Sequence, residues 1–212
     1  MRKRYLQISE WFTGNMPDAA SELNFNSPYQ LIVAVILSAQ CTDKRVNMVT
    51  PGLFSRYPDV EALAGAAVED ILSLISSISY PNSKAAHLSG MAKMVVSEFG
   101  GRIPEDMESL LKLPGVGRKT ANVVSSILFD NPVIAVDTHV FRVARRLGLS
   151  RGKTPLAVEK DLEAGFPPEM RPKAHHWLIL HGRYVCTARS PKCNECGIAP
   201  YCKKYSEDAK RG

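Results

Sequence analysis

The 212-residue chain has no long apolar run: its longest uninterrupted aliphatic stretch, Leu31–Leu37, is seven residues. That is far short of the roughly 20 residues a membrane-spanning helix needs. Arg2-Lys3-Arg4 resembles the basic start of a signal peptide, but no apolar segment follows, so no export signal is read and a cytoplasmic protein, nucleoid-associated if prokaryotic, is expected. No convincing period-2 alternation, fixed-period repeat, low-complexity tract or long linker occurs, which argues against a β-sandwich, a solenoid and a disordered chain. Cysteine is nearly absent from the first 185 residues, where Cys41 stands alone. The other four lie between positions 186 and 202.

What is present is helical patterning and unevenly placed charge. Residues 1–111 carry 9 Lys/Arg against 12 Asp/Glu, and residues 154–170 carry 1 against 4, a net of −3 each. Residues 112–153 (8 against 2) and 171–212 (9 against 3) each carry +6. Two solvated faces are one explanation; a polyanion-binding surface built from two chain segments is the other. Residues 3–13 read as a short amphipathic helix, and Ser27-Pro28 supplies an N-cap with proline at the first helical position. A largely buried helix through Leu31–Leu37 follows, then one capped by Thr42 or Asp43 and bent or interrupted at Pro51. Shorter helices are expected at Asp59–Leu63 and Val68–Ile78, and a longer one over 82–99, stopped by Gly100-Gly101. The fold class is all-α.

Met107, Leu110 and Leu111 lie at i, i+3 and i+4, which predicts a helix over Glu105–Lys112. Leu113-Pro114-Gly115-Val116-Gly117 ends it, and a second helix runs from about Arg118 to Phe129. Glycines allow a tight turn and close approach of a partner, and the N–H groups opening the second helix are aimed where an anion would sit. Arg118 and Lys119 add positive charge there. A lysine at a helix N-terminus beside an arginine is disfavoured as ammonium, which suits a nucleophilic amine. Taken alone, though, Lys119 also suits a phosphate contact, and Asp137, preceding Thr138-His139-Val140-Phe141, suits a plain N-cap.

Cys186, Cys193, Cys196 and Cys202 form a C-x6-C-x2-C-x5-C pattern within 17 residues. Spacing alone leaves a four-cysteine zinc site and a [4Fe–4S] cluster equally open, with disulfides less favoured in a chain lacking an export signal. Cys41 reads as a small apolar filler.

Leu113–Val124 (LPGVGRKTANVV) resembles the helix–hairpin–helix of the endonuclease III family of base-excision DNA glycosylases. The resemblance extends through Glu22-Leu23-Asn24-Phe25, Leu37-Ser38-Ala39-Gln40, Asn82-Ser83-Lys84, Val136–Val143 and His175–Arg183. It implies two helical domains flanking a DNA-binding cleft: a six-helix barrel over 22–132 carrying the hairpin (105–129), and a discontinuous domain of 1–21 plus 133–212 carrying a [4Fe–4S] cluster on the loop 186–202. Lys119 and Asp137 fall on the family's catalytic pair, implying a bifunctional glycosylase/AP lyase that removes oxidised pyrimidines and cuts 3′ to the lesion by β-elimination. Adenine-mismatch glycosylases of the superfamily have no lysine at this position, so Lys119 discriminates. The resemblance also implies a [4Fe–4S] cluster as the cofactor, held by Cys186, Cys193, Cys196 and Cys202 and architectural in role.

Gln40 corresponds to the family's gap-filling glutamine. The family's Gly, bulky apolar and aromatic residues are replaced here by Ser79-Tyr80-Pro81, which makes Tyr80 the candidate wedge. Further DNA contacts are expected from Gly115, Val116, Gly117, Arg118, Thr120, Thr138, His139, Arg142, Arg183, Arg189 and Lys192. His175, His176 and Trp177 are expected to support packing. The implied partner is double-stranded DNA containing oxidised pyrimidines or abasic sites, bound by a monomer without a membrane, with the two basic blocks lining one groove. A non-catalytic DNA-binding protein and an iron–sulfur electron carrier are the alternatives.

Overall fold

A computed structural model describes residues 2–210, and every regular element among them is helical. Ser21–Phe129 form one compact unit; the chain on either side of it, to Ala20 and from Asp130, forms another. α1 spans Arg2–Asn15. The inserted unit contains α2 (Pro28–Leu37), α3 (Asp43–Arg56), α4 (Val60–Ala64), α5 (Val68–Ile75), α6 (Pro81–Phe99), α7 (Met107–Lys112) and α8 (Arg118–Phe129). α9 (Thr138–Leu147), α10 (Pro155–Gly165), α11 (Arg171–Tyr184) and α12 (Lys203–Asp208) complete the flanking unit. None of these helices is long and apolar enough to cross a membrane.

In the inserted unit α2 is the central helix. Eight of its ten residues are buried, and each fully buried Val, Leu or Ile contributes about 1.5–3 kcal/mol. It packs on α3, α6 and α8, while α4 and α5 pack on α6 and α7 packs on α8. The starts of these helices follow local chemistry. Ser27, Thr42, Asp59 and Asp106 each accept a backbone N–H of the first turn through a side-chain oxygen. The hydrogen bonds from Ser109 hold the Asp106 carboxyl below its ordinary pKa.

Two boundaries differ from expectation. α3 runs unbroken through Pro51; the proline forfeits one hydrogen bond to the Asn47 carbonyl, and burial of Val46, Thr50 and Leu53 along one face outweighs that loss. The helix expected to reach Ile78 stops at Ile75, where the Ile78 N–H donates to the Ile75 carbonyl at 2.9 Å and closes a tight turn; Tyr80, at φ 56°, then precedes α6. Gly100 and Gly101, with φ of 58° and 76°, end α6 as expected.

The flanking unit has its own core, from Ile8 and Phe12 of α1 through Val140, Val143 and Leu147 of α9 to Trp177 and Leu178 of α11. Phe12 and Trp177 stack with ring centroids 5.6 Å apart, and the Trp177 indole donates to the Met16 carbonyl at 2.9 Å. His175 places Nδ1 2.9 Å from the Ala135 carbonyl oxygen. These two residues are packing groups, and burial and Lys173 lower the pKa of neighbouring His176 to about 4.

Candidate active site

The hairpin is shaped by its proline and glycines. Pro114 disfavours helical backbone at the preceding residue, and Leu113 is accordingly extended (ψ 130°) where α7 ends. The Val116 N–H donates back to the Leu113 carbonyl at 3.0 Å. Gly115 lies between them at φ 79°, and a Cβ there would sit 2.9 Å from His87 Cβ. A Cβ on Gly90 of α6 would approach Pro114 at 3.1 Å, so the turn lies close against that helix. Val116 is buried and anchors the turn, whereas Gly115, Gly117 and Arg118 are exposed. Thr120 and Ala121 are buried in the first turn of α8, and Lys119 stands half-buried between them and the surface. The N-terminal N–H groups of a twelve-residue helix and its dipole thus meet solvent beside Arg118 and Lys119.

Gln40 and Tyr80 share an uncommon backbone state. Both are non-glycine residues at positive φ (53° and 56°), which costs roughly 1–2 kcal/mol each. Both are exposed, Tyr80 at 64%. They line one recess of about 290 Å³ together with Ile36, Ala39, Ser83, Lys84, His87 and Gly115. The fold therefore brings together Gln40, Tyr80 and the hairpin, which lie far apart in sequence.

In the flanking unit, Asp137 is the N-cap of α9, its Oδ1 accepting the Val140 N–H at 2.8 Å. Thr138 is exposed beside it, and His139 is half-buried. The Arg142 guanidinium donates to the carbonyls of Gly182 (2.8 Å) and Cys186 (3.1 Å) and lies 3.2 Å from His139 Nδ1. These bonds make it an anchor between α9, α11 and the cysteine loop. Arg146, one turn further along α9, donates to the carbonyls of Thr187 (2.7 Å) and Ala188 (2.9 Å). Arg146 was missed in sequence; its i+4 spacing from Arg142 was the available signal. Arg183 is half-buried on α11, and Arg189 and Lys192 are exposed on the loop.

The four cysteines line one small cavity of about 30 Å³ together with Leu147, His181 and Ile198's neighbour Ala199. Burial pushes the Cys196 and Cys202 thiols up, and the other cysteines push them further. Four mutually repelling thiolates are favourable only around cationic metal. The four sulfurs border the same cavity, so one shared metal centre could take all of them as ligands. Arg146 Nη1 approaches Cys186 Sγ at 3.5 Å, and His181 Nε2 lies 3.7 Å from Cys196 Sγ, the kind of outer contacts that iron–sulfur ligands receive. Gly197 is required by packing, since a Cβ would meet the Trp11 ring.

Comparison with known proteins converges on one group. Residues 33–168 match the HhH-GPD superfamily of base excision DNA repair proteins, and residues 186–202 match the iron–sulfur binding domain of endonuclease III. The chain is 46% identical to endonuclease III of Rickettsia felis, over 94% of each chain. It is 43% identical to endonuclease III of Escherichia coli K12, over 97% of each. A solved trapped endonuclease III–DNA covalent intermediate, an estranged-adenine complex, superposes with a TM-score of 0.93 at 40% identity, covering 99% of both chains.

Proposed function

The chain belongs to the HhH-GPD superfamily and within it to endonuclease III, and from that premise we propose how its residues divide the work. It is a DNA N-glycosylase with AP lyase activity, acts in base excision repair and carries a [4Fe–4S] cluster. Its substrates are oxidised pyrimidines and abasic sites in duplex DNA, bound by one copy of the chain.

The observation that carries the catalytic assignment is Lys119 at the opening of α8, directly behind the Gly-x-Gly turn. Backbone N–H groups of the exposed hairpin bind phosphate, and Arg118 adds charge to that contact. The damaged nucleotide leaves the stack, because its C1′ is inaccessible in the duplex. Gln40 enters the gap, while Tyr80 wedges into the opposite strand and stacks on a base there. The neutral Lys119 amine attacks C1′ as the glycosidic bond breaks, and the base departs with that electron pair as an anion that takes its proton from water. Asp137 uses Oδ1 to cap α9 and presents Oδ2 to the sugar, where its charge stabilises the oxocarbenium-like state and accepts a proton from the attacking amine. Opening of the sugar ring leaves an iminium between Lys119 and C1′. This cation acidifies C2′; loss of its proton sends electrons toward the iminium, and the C3′–O bond breaks, releasing the 3′ strand with its phosphate. Water then hydrolyses the imine and frees Lys119.

Cys186, Cys193, Cys196 and Cys202 hold the cluster, which when bound supplies four iron–thiolate crosslinks to the 186–202 loop. That loop presents Arg189 and Lys192 to the DNA backbone, with Arg142 and Arg146 fixing its start. Thr138, His139 and Arg183 complete the DNA-facing set.

Borohydride reduction of the imine tests the assignment. Wild-type protein should form a covalent adduct with abasic-site duplex, and Lys119→Ala should form none. Equal trapping by both proteins would rule out Lys119. No trapping by wild type would leave a non-catalytic DNA-binding protein as the better reading.

A further inference from the structure

Lys84 is a buried lysine at the start of α6, 5% exposed, and neither the hairpin nor the chemistry uses it. Its ammonium donates to the Leu37 carbonyl at 2.9 Å and to the Ala39 carbonyl at 2.6 Å. Leu37 is the last residue of α2, whose final carbonyls form the negative end of the helix. Burial lowers the Lys84 pKa and nearby Cys41 opposes that shift; the two carbonyl oxygens and the negative end of α2 favour the ammonium form.

The Ala39 carbonyl belongs to the peptide plane joining Ala39 to Gln40. Gripping its oxygen fixes the plane about which Gln40 φ is measured. That φ is 53°, a conformation glutamine does not hold unaided. The Lys84 backbone N–H, meanwhile, donates to the carbonyl of Tyr80, the other left-handed residue, at 3.2 Å. One residue thus bonds both the carbonyl that precedes Gln40 and the carbonyl of Tyr80.

We propose that Lys84 is a positioning residue for Gln40, locking the Ser38–Cys41 turn so that the glutamine stands ready to enter the DNA stack. The proposal rests on the reading that Gln40 fills the gap left by the flipped nucleotide. A flexible turn would have to be ordered on each binding event, and that entropy would come out of lesion affinity. Undamaged duplex, which opens no gap, would be bound alike with or without the lock.

The experiment compares cluster-loaded proteins for affinity to duplex carrying a tetrahydrofuran abasic analogue relative to undamaged duplex. Lys84→Met keeps the stem and removes the donors; it should lower this ratio about tenfold, the scale of a lost charged hydrogen bond. Lys84→Arg, which keeps donors, should restore most of it. Gln40→Ala should lower the ratio similarly, and the double variant should be no worse than Gln40→Ala alone. Full additivity in the double variant overturns the proposal, as does a ratio unaltered by Lys84→Met but lowered by Gln40→Ala. A ratio unaltered by Gln40→Ala removes the premise itself, and the proposal with it. If Lys84→Met does not fold, Lys84→Gln, which is shorter and uncharged but keeps an amide donor group, takes its place in the cycle.

Discussion

Gly115→Ala and Gly117→Ala should fail in different ways, although both change one hydrogen to a methyl in the same five-residue turn. Gly115 has φ of 79°, which costs alanine about 1–2 kcal/mol. Its new Cβ would also lie 2.9 Å from His87 Cβ and 3.2 Å from His87 Cγ. The nearest atom is held by the α6 backbone and cannot swing away, so relief requires shifting the turn, at about 1–2 kcal/mol more. The sum is roughly 2–4 kcal/mol, or roughly 4–16 °C in Tm for a chain of this size. Gly117 has ordinary backbone, and a Cβ there meets nothing within 4 Å. Its alanine variant should melt within about 2 °C of wild type, yet bind abasic-analogue duplex about tenfold more weakly, because the methyl stands where phosphate approaches the N–H groups. Thermal melts followed at 222 nm and fluorescence anisotropy with labelled duplex read the two effects separately. His87→Ala should not rescue Gly115→Ala, since it leaves the offending Cβ in place; His87→Gly should recover part of the loss. Equal melting of the two alanine variants, or full rescue by His87→Ala, would refute the reasoning.

Asp137→Asn should keep the N-cap, since asparagine caps as well as aspartate, and so melt within about 1 °C of wild type while losing glycosylase turnover by on the order of a hundredfold or more; single-turnover excision beside a melt checks both. Tyr80→Gly relieves a left-handed backbone and should raise stability by about 1 kcal/mol, while reducing affinity for lesion-bearing relative to undamaged duplex. Unchanged lesion preference in that variant would remove Tyr80 from the wedge position.

Much of the local structure and the chemistry was legible along the chain because it depends on neighbours in sequence. Ser27, Thr42, Asp59 and Asp137 cap helices through bonds to residues three positions on, and such bonds are written in short strings. The hairpin is likewise local: proline forbids helix at Leu113, and Gly115 accepts the positive φ that the return requires. Four cysteines in 17 residues announce a metal centre, though their spacing left zinc and iron–sulfur equal. The family resemblance and the match of residues 186–202 separate them.

What lies beyond local pattern is where a side chain spends its hydrogen bonds. Arg142 reads in sequence as a cation for DNA; in the fold its guanidinium holds the carbonyls of Gly182 and Cys186, 40 and 44 residues away. Lys84 reads as part of a short polar string, and its burial against the end of α2 arises from the packing of α6 on α2. Pro51 carries a helix-breaking signal that burial of its neighbours overrides. Helix class, capping, the place of Lys119 in the first turn of α8 and the clustering of four thiols were determined by the sequence alone, because each rests on residues a few positions apart. The shared recess of Gln40, Tyr80 and Gly115, and the lysine that holds it, were decided by tertiary structure. The physical reason is range: the carbonyl just before Gln40 is held by Lys84, 45 residues away in sequence.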